Sequence, residues 1–261
     1  MTRAFLRRGH ASFDADWVPE EYLADYYAVV EPDELETIAF FTAALRDTAP
    51  DEPILFFSTG PTLHHVFLSA DRASEIHLAD YLPQNLAAID RWLRRDPGAH
   101  DWRPFVRYTL ECEGERAPTG AQLAQREDLT RAKVTRLLEA DAGDREPVGE
   151  RYGTVVSAYC ADSATADRAI WEAYMRHIAG LVRPGGTFIT AALRRSRSYL
   201  VGGKRFPSAD VDEHDLRAVL EPEFDCSIEV REVPERARLG YEGIVLATAT
   251  RRPPASAPAR A

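Results

Sequence analysis

Apolar residues recur at spacings of three and four over residues 22–30 and 34–45, so the first fifty residues read as helical. The pattern then changes. Residues 53–57, Pro-Ile-Leu-Phe-Phe, make a short continuous apolar run ending in Ser-Thr-Gly-Pro, the mark of a strand buried on both faces. Residues 63–70 read as a helix, 75–80 as a second strand, and 85–95 as a helix with Leu86, Ile89 and Leu93 along one side. A polar, irregular stretch over 111–120 precedes a helix over 121–131, a third strand over 133–138 and a fourth over 152–157. Residues 167–182 predict an amphipathic helix with Ile170, Tyr174, Ile178 and Leu181 as its inner stripe. Gly185 and Gly186 end that helix and lead into a strand over 187–191. A helix over 213–220 and strands over 226–233 and 243–248 close the chain.

Strands alternating with helices call for an α/β fold, a mostly parallel sheet with helices on both faces. The last two strands lack an intervening helix, so they form an antiparallel edge. A chain of 261 residues suits a single domain over 1–250, with a helical cap over 1–50 and a core over 51–250. The tail 251–261 is rich in Pro and Ala, has no large apolar group, and is expected to be disordered. A net charge of −10 repels phosphate backbones, which argues against a nucleic-acid partner. No apolar run approaches the ~18 residues of a membrane span, and the N-terminus lacks the apolar core of a signal peptide. Those absences point to a cytoplasmic protein with no membrane partner. Cys112, Cys160 and Cys226 are isolated thiols without metal-ligand spacing, so neither a disulfide framework nor a metal site is expected.

The exit of the first strand, Ser58-Thr-Gly-Pro-Thr62, is a tight turn, and the second strand ends in Asp80, twenty residues beyond Gly60. An acid at that separation can accept hydrogen bonds from the ribose hydroxyls of an adenosine ligand. Two plainer roles compete: a packing turn at Gly60, and Asp80 as the cap of a helix beginning near Pro83. A pyrophosphate at a helix N-terminus needs several glycines, and only Gly60 is present, so a dinucleotide is disfavoured. A phosphate-free adenosine cofactor such as S-adenosylmethionine fits better.

Several blocks extend this picture. They are Ser58-Thr-Gly-Pro-Thr62, Ala79-Asp-Tyr-Leu-Pro-Gln-Asn-Leu86, Arg91-Trp-Leu93 with Asp101-Trp102, Leu181-Val-Arg-Pro-Gly-Gly186, Tyr22-Leu-Ala-Asp-Tyr-Tyr27 and the segment 199–206. With them the chain resembles the nicotinamide/phenylethanolamine/indolethylamine/thioether N-methyltransferase family over roughly residues 15–250. The resemblance implies a Rossmann-like class I methyltransferase fold with a seven-stranded sheet, a helical N-terminal lid and S-adenosyl-L-methionine as cofactor. It implies that Asp80 holds the ribose hydroxyls, with Tyr81 beside it and Asn85 near the ribose and adenine. Gly60 and Ser58 would line the methionine portion, Asp141 with Ala142 the adenine, and Ser157 with Ala158 the sulfonium. Tyr22 and Tyr27 would close over the cofactor. His64 stands where many members carry Tyr, placed to donate to the cofactor carboxylate or to reach the acceptor as a base.

On the acceptor side the resemblance implies Tyr26, Tyr159, Ser163, Tyr199 and Ser208, with the loop around Tyr241 and Glu242. Tyr159 and Tyr199 would sandwich a flat ring. Two departures stand out. Phe56-Phe57-Ser58 replaces the family's acidic-glycine start, and Ala192 falls where several relatives place an acid. The second departure disfavours nicotinamide and favours a largely neutral, indole-like or heteroaromatic acceptor of bacterial secondary metabolism. The expected activity is N-methylation of a small aromatic or amine metabolite by a monomer or homodimer. Methylation at carbon or oxygen is one alternative, and a non-catalytic ligand-binding protein on a decayed fold is another.

Overall fold

A computed structural model describes residues 9–241 and 243–254. Nine strands occur among them: β1 (Ile54–Phe57), β2 (Ile76–Asp80), β3 (Val134–Glu139), β4 (Tyr152–Ala158), β5 (Val182–Leu193), β6 (Ser198–Val201), β7 (Lys204–Pro207), β8 (Phe224–Glu232) and β9 (Gly243–Arg251). Seven of them form one sheet in the order β3-β2-β1-β4-β5-β9-β8, and β6 and β7 pair separately. The strands from β3 to β5 run parallel, while β9 lies antiparallel to both β5 and β8. Ile54 stands opposite Ile76 on one side and Thr154 on the other. Strand order therefore reverses beside β1, which opens a crevice at the carboxyl ends of β1 and β4.

The period of two along each strand sorts side chains between two cores. Phe56, Val156, Ile189 and Leu246 face one core, and Leu55, Val155, Phe188 and Val245 face the other. The helices are α1 (Phe13–Asp16), α2 (Pro19–Tyr26), α3 (Pro32–Arg46), α4 (Pro83–Leu93), α5 (Arg103–Cys112), α6 (Gly120–Lys133), α7 (Ala161–Ala164), α8 (Arg168–Ala179) and α9 (Glu213–Leu220). Helices α3 and α5 cover the first core through Ile38, Phe41, Phe105 and Val106, and α8 and α9 cover the second through Trp171, Ile178, Leu216 and Leu220. Proline opens α2, α3 and α4, where a missing N–H costs nothing.

Several expectations need correction. Residues 63–70 form only a 3₁₀ turn, Val66–Ser69, and every residue of the segment is buried, so its apolar pattern records complete enclosure and not one face of a helix. Helix α5 was not anticipated, although Phe105, Val106, Thr109 and Leu110 make a regular buried stripe. The inner stripe of α8 is Trp171, Met175 and Ile178, whereas Ile170 is 42% exposed. Helix α8 stops at Ala179, and Gly185 and Gly186 lie inside β5, where Gly185 takes φ +78° near a register shift against β4. The β6–β7 hairpin was also unforeseen; Gly202 and Gly203, at φ +55° and +75°, make its turn. Strand β9 runs through Arg251, and the Arg252 N–H donates to the Glu223 carbonyl at 3.0 Å, so these two residues continue the sheet and not a tail. Residues 255–261 lie outside the described residues.

Candidate active site

At the carboxyl ends of β1, β2 and β4 a cavity of about 610 Å³ is lined by α1, α2, the first turn of α3 and the turn after β1. That size falls within the roughly 300–1,000 Å³ of small-molecule sites. At its floor Asp80, the last residue of β2, is buried. Its Oδ2 accepts from the Gly60 N–H at 2.7 Å, and its Oδ1 accepts from the Leu82 N–H and the Asn85 Nδ2, both at 2.9 Å. Burial pushes the Asp80 pKa up, and these three donors oppose the rise. Asp80 thus ties the glycine turn to the start of α4, and a carboxylate with three bonds keeps acceptor capacity for a ligand hydroxyl. Ser58 and Gly60 both take left-handed backbone, φ +57° and +63°. A Cβ on Gly60 would meet the Tyr22 ring at 3.9 Å, so glycine there keeps the backbone bare where it faces the lid.

Beyond Asp80 the wall continues through Tyr81, Asp141 and Ala142. The Tyr81 hydroxyl donates to Asp14 Oδ1 at 3.0 Å, and the Trp17 indole N–H donates to Asn85 Oδ1 at 2.8 Å, which ties the N-terminal segment across this end. The other end is aromatic. Tyr22, Tyr26 and Tyr27 of the lid face Tyr159, which follows β4, and Tyr199 of β6. Tyr159 reaches Thr37 Oγ1 at 2.5 Å, Tyr199 donates to the Ser163 carbonyl at 3.1 Å, and Tyr26 donates to the Leu200 carbonyl at 2.9 Å. Burial pushes all five phenol pKa values up, Tyr26 to about 12, so these groups remain protonated hydroxyls.

A group of charged residues not singled out in the sequence lies at the first turn of α3. Asp33 and Glu34 are both buried and both line the cavity. Asp33 accepts from the Tyr241 hydroxyl at 2.6 Å and pairs with Arg236 at 3.1 Å. Glu34 Oε2 lies 3.0 Å from His64 Nε2 and 3.2 Å from His65 Nε2. Burial would raise the Glu34 pKa, but His64 and His65 hold it well below the usual carboxylate range. His65 is pushed down to about 4 by burial and by His64. Acids in a first helical turn usually complement the dipole at the surface, which hides these two in the sequence. One signal was available: Glu34 falls in phase with Ile38, Phe41 and Leu45, the buried stripe of α3.

The structure brings the expected cofactor residues Tyr22, Tyr27, Ser58, Gly60, His64, Asp80, Tyr81, Asn85, Asp141, Ala142 and Ala158 to this one cavity, together with Tyr26, Tyr159, Ser163 and Tyr199. It does not bring Ser157, Ala192 or Ser208 there. Strand parity explains the first two. Ala158 and Leu193 line the cavity, so their neighbours Ser157 and Ala192 turn to the other face, and Ala192 packs in the second core with Val245 and Ala209. Ser208 is buried beside the lining residue Pro207, and its Oγ has no hydrogen-bond partner. Glu242 lies outside the described residues. The case for a neutral acceptor built on Ala192 therefore loses its premise, because Ala192 does not face the cavity and α3 brings Asp33 and Glu34 into it.

The profile of the NNMT/PNMT/TEMT family matches residues 7–252. The chain belongs to this family. It is 27% identical over 224 residues to the indolethylamine N-methyltransferase of Mus musculus, covering 82% of this chain and 83% of that one. It is 26% identical over 213 residues to the nicotinamide N-methyltransferase of Homo sapiens, covering 77% and 79%. Among solved structures, the SAH complex of DhpI superposes with a TM-score of 0.54 at 16% identity, covering 90% of this chain and 98% of that one. The fold is thus that of the Rossmann-like class I methyltransferases, and this family member is an S-adenosylmethionine-dependent methyltransferase. The relatives named are mammalian and lend no support to a role in bacterial secondary metabolism. No helix among the described residues is long and apolar enough to cross a membrane.

Proposed function

We propose that this enzyme methylates a nitrogen of a small aromatic amine held at the inner, aromatic end of the cavity, between Tyr159 and Tyr199. One observation carries the reading: the cavity that contains Asp80 continues without a break to these two rings and to the buried acids of α3. Asp80, Asn85 and Tyr81 would hold the adenosine, Ser58 and Gly60 the methionine portion, Asp141 and Ala142 the adenine, with Tyr22 and Tyr27 above. When bound, S-adenosylmethionine supplies an electrophilic methyl group on sulfonium.

The protein's own work is alignment and exclusion of water. Hydrogen bonds to Thr37 and Ser163 spend the hydroxyls of Tyr159 and Tyr199 and leave ring surface to the acceptor, one face of Tyr199 being stacked on Phe206 at 5.8 Å. Offset stacking on such faces is worth about 0.5–1.5 kcal/mol beyond burial. Asp33 favours an acceptor that carries an amine, since a buried carboxylate stabilises the positive charge that the nitrogen acquires as it takes the methyl group. A neutral amine attacks with its own lone pair, so this reading asks no proton transfer of His64.

The test is methyl transfer to indolethylamine, phenylethanolamine, nicotinamide and small aliphatic amines, followed by mass spectrometry. Bicyclic aromatic amines should be preferred, with kcat/KM falling about tenfold or more in Tyr199→Ala and by less than about threefold in Tyr199→Phe. A preference for aliphatic amines, indifferent to Tyr199, overturns the proposal. So does methylation of a ring carbon or an oxygen.

A further inference from the structure

The contacts among Glu34, His64 and His65 are short, yet they are not hydrogen bonds. Glu34 Oε2, His64 Nε2 and His65 Nε2 are all buried without a hydrogen-bond partner, although the carboxylate oxygen lies only 3.0 and 3.2 Å from the two nitrogens. The directions are wrong for an N–H to point at the oxygen, and leaving three such atoms unpartnered in a dry interior is costly. A shared cation removes the conflict. In a tetrahedral site with metal–ligand distances of about 2.0–2.1 Å, neighbouring donor atoms sit about 3.3 Å apart, and their lone pairs converge on the centre instead of on each other.

We propose that Glu34, His64 and His65 form a binding site for one first-row divalent cation, zinc being the type case, with its open coordination position turned to the cavity. One ligand atom from each residue lies within 4.8 Å of the other two, and all three residues are buried. Two imidazoles and one carboxylate suit zinc and its neighbours in the first transition row. They do not suit calcium or magnesium, which want a shell of oxygens. Three protein ligands leave a position free, and all three residues line the cavity, so that position opens toward it.

The scaffold is rigid. Glu34 sits in the first turn of the fifteen-residue α3, in line with its buried stripe. The His64 ring packs 4.7 Å from Tyr27, and the His65 ring packs 4.9 Å from Phe41. His64 Nδ1 has no partner to orient it. Outer partners of that kind are typically worth 10- to 100-fold in affinity, so binding should be weaker than in closed structural zinc sites. What the open position holds rests on the function proposed above: an oxygen or second nitrogen of the aromatic amine, distinct from the nitrogen that is methylated.

The experiment uses the full chain, stripped with a chelator and titrated with Co²⁺ and separately with Zn²⁺, with no acceptor present. One equivalent of Co²⁺ should develop the intense visible bands of four- or five-coordinate cobalt, and Zn²⁺ should displace it. Glu34→Gln and His65→Gln should each weaken binding at least tenfold. A far-UV circular dichroism spectrum and a cooperative thermal transition like those of the wild type show that a variant is folded, and a His64→Gln variant provides a third line should either of the first two fail that check. Absence of the bands in the wild type overturns the site, as does unchanged binding in the folded variants. Failure here leaves the choice of acceptor standing, and an aliphatic preference in the acceptor assay leaves the metal titration unaffected.

Discussion

Asp162 carries a charge problem that the rest of the fold has to accommodate. It lies in α7 and is buried; its Oδ2 accepts from the Leu193 N–H at 2.9 Å, and its own carbonyl accepts from the Ala209 N–H at 2.8 Å. Burial raises its pKa to about 7 from an ordinary 3.8. The folded state therefore holds a proton that the unfolded state releases. Its contribution to stability is full below about pH 4 and is lost as pH rises to about 7, at about 1.4 kcal/mol per pH unit at most. Asp162→Asn keeps the acceptor oxygen and removes the charge. Denaturant unfolding at pH 5 and pH 8 should show the wild type losing stability relative to the variant by about 1–3 kcal/mol, and equal losses would refute the assignment. Asp162 was invisible in the sequence because nothing local marks the depth at which α7 sits. Asp80 was legible, since a strand end and a preceding glycine turn fix its place. Ala192 was misjudged by one residue, and on a strand one residue is the whole difference between cavity and core.

At the scale of elements, the lid is held from two sides. Phe13 and Trp17 pack on Phe206 of β7 at 5.0 and 5.3 Å, the Ala11 N–H donates to the Arg205 carbonyl at 2.8 Å, and the Gly202 N–H donates to Asp25 at 2.8 Å. The β6–β7 hairpin and α2 are thus mechanically coupled, and both carry tyrosines to the cavity. Hydrogen exchange over 19–27 should slow when the demethylated cofactor product is added, because a lid that contacts a ligand opens less often. In Gly203→Ala, where φ is +75° and the added Cβ meets nothing within 4 Å, only backbone strain is introduced, about 1 kcal/mol. Exchange should then quicken in both 198–207 and 19–27. A change confined to the hairpin would show the lid to be independent. The hairpin escaped the sequence reading because Gly202-Gly203 was absorbed into a longer motif instead of being read as a turn. Helix α5 escaped because Pro104 looks like a breaker and is in fact a first-turn residue. The strands of the large sheet were legible for the opposite reason: continuous apolar runs such as 54–57 admit few other readings.

Across the whole molecule, the cavity joins parts of the chain that share few other ties: α1 and α2, the turn after β1, the end of β2 and the residues after β4. That β1 lies between β2 and β4 is a matter of tertiary pairing that no local pattern encodes, yet it brings Gly60, Asp80 and Tyr159 to one crevice. A ligand there bridges lid and sheet and should stabilise both together. At 100 times its Kd a ligand adds about 2.7 kcal/mol. For a domain of this size about 2–4 °C accompanies each kcal/mol, so Tm should rise by about 5–10 °C with S-adenosylmethionine or its demethylated product and stay unchanged with NAD. Asp80→Asn sharpens the test. Its amide nitrogen would confront either the Gly60 N–H or the donors from Leu82 and Asn85, all of which the carboxylate now satisfies. The variant should therefore start from a lower Tm. If Asp80 also grips the ribose, its affinity falls at least tenfold, and the ligand-induced rise at the same concentration shrinks by about 1.4 kcal/mol, or about 3–5 °C. The two effects separate cleanly: a lower baseline with the full ligand-induced rise would leave Asp80 as the tie between turn and helix and remove it from the cofactor site.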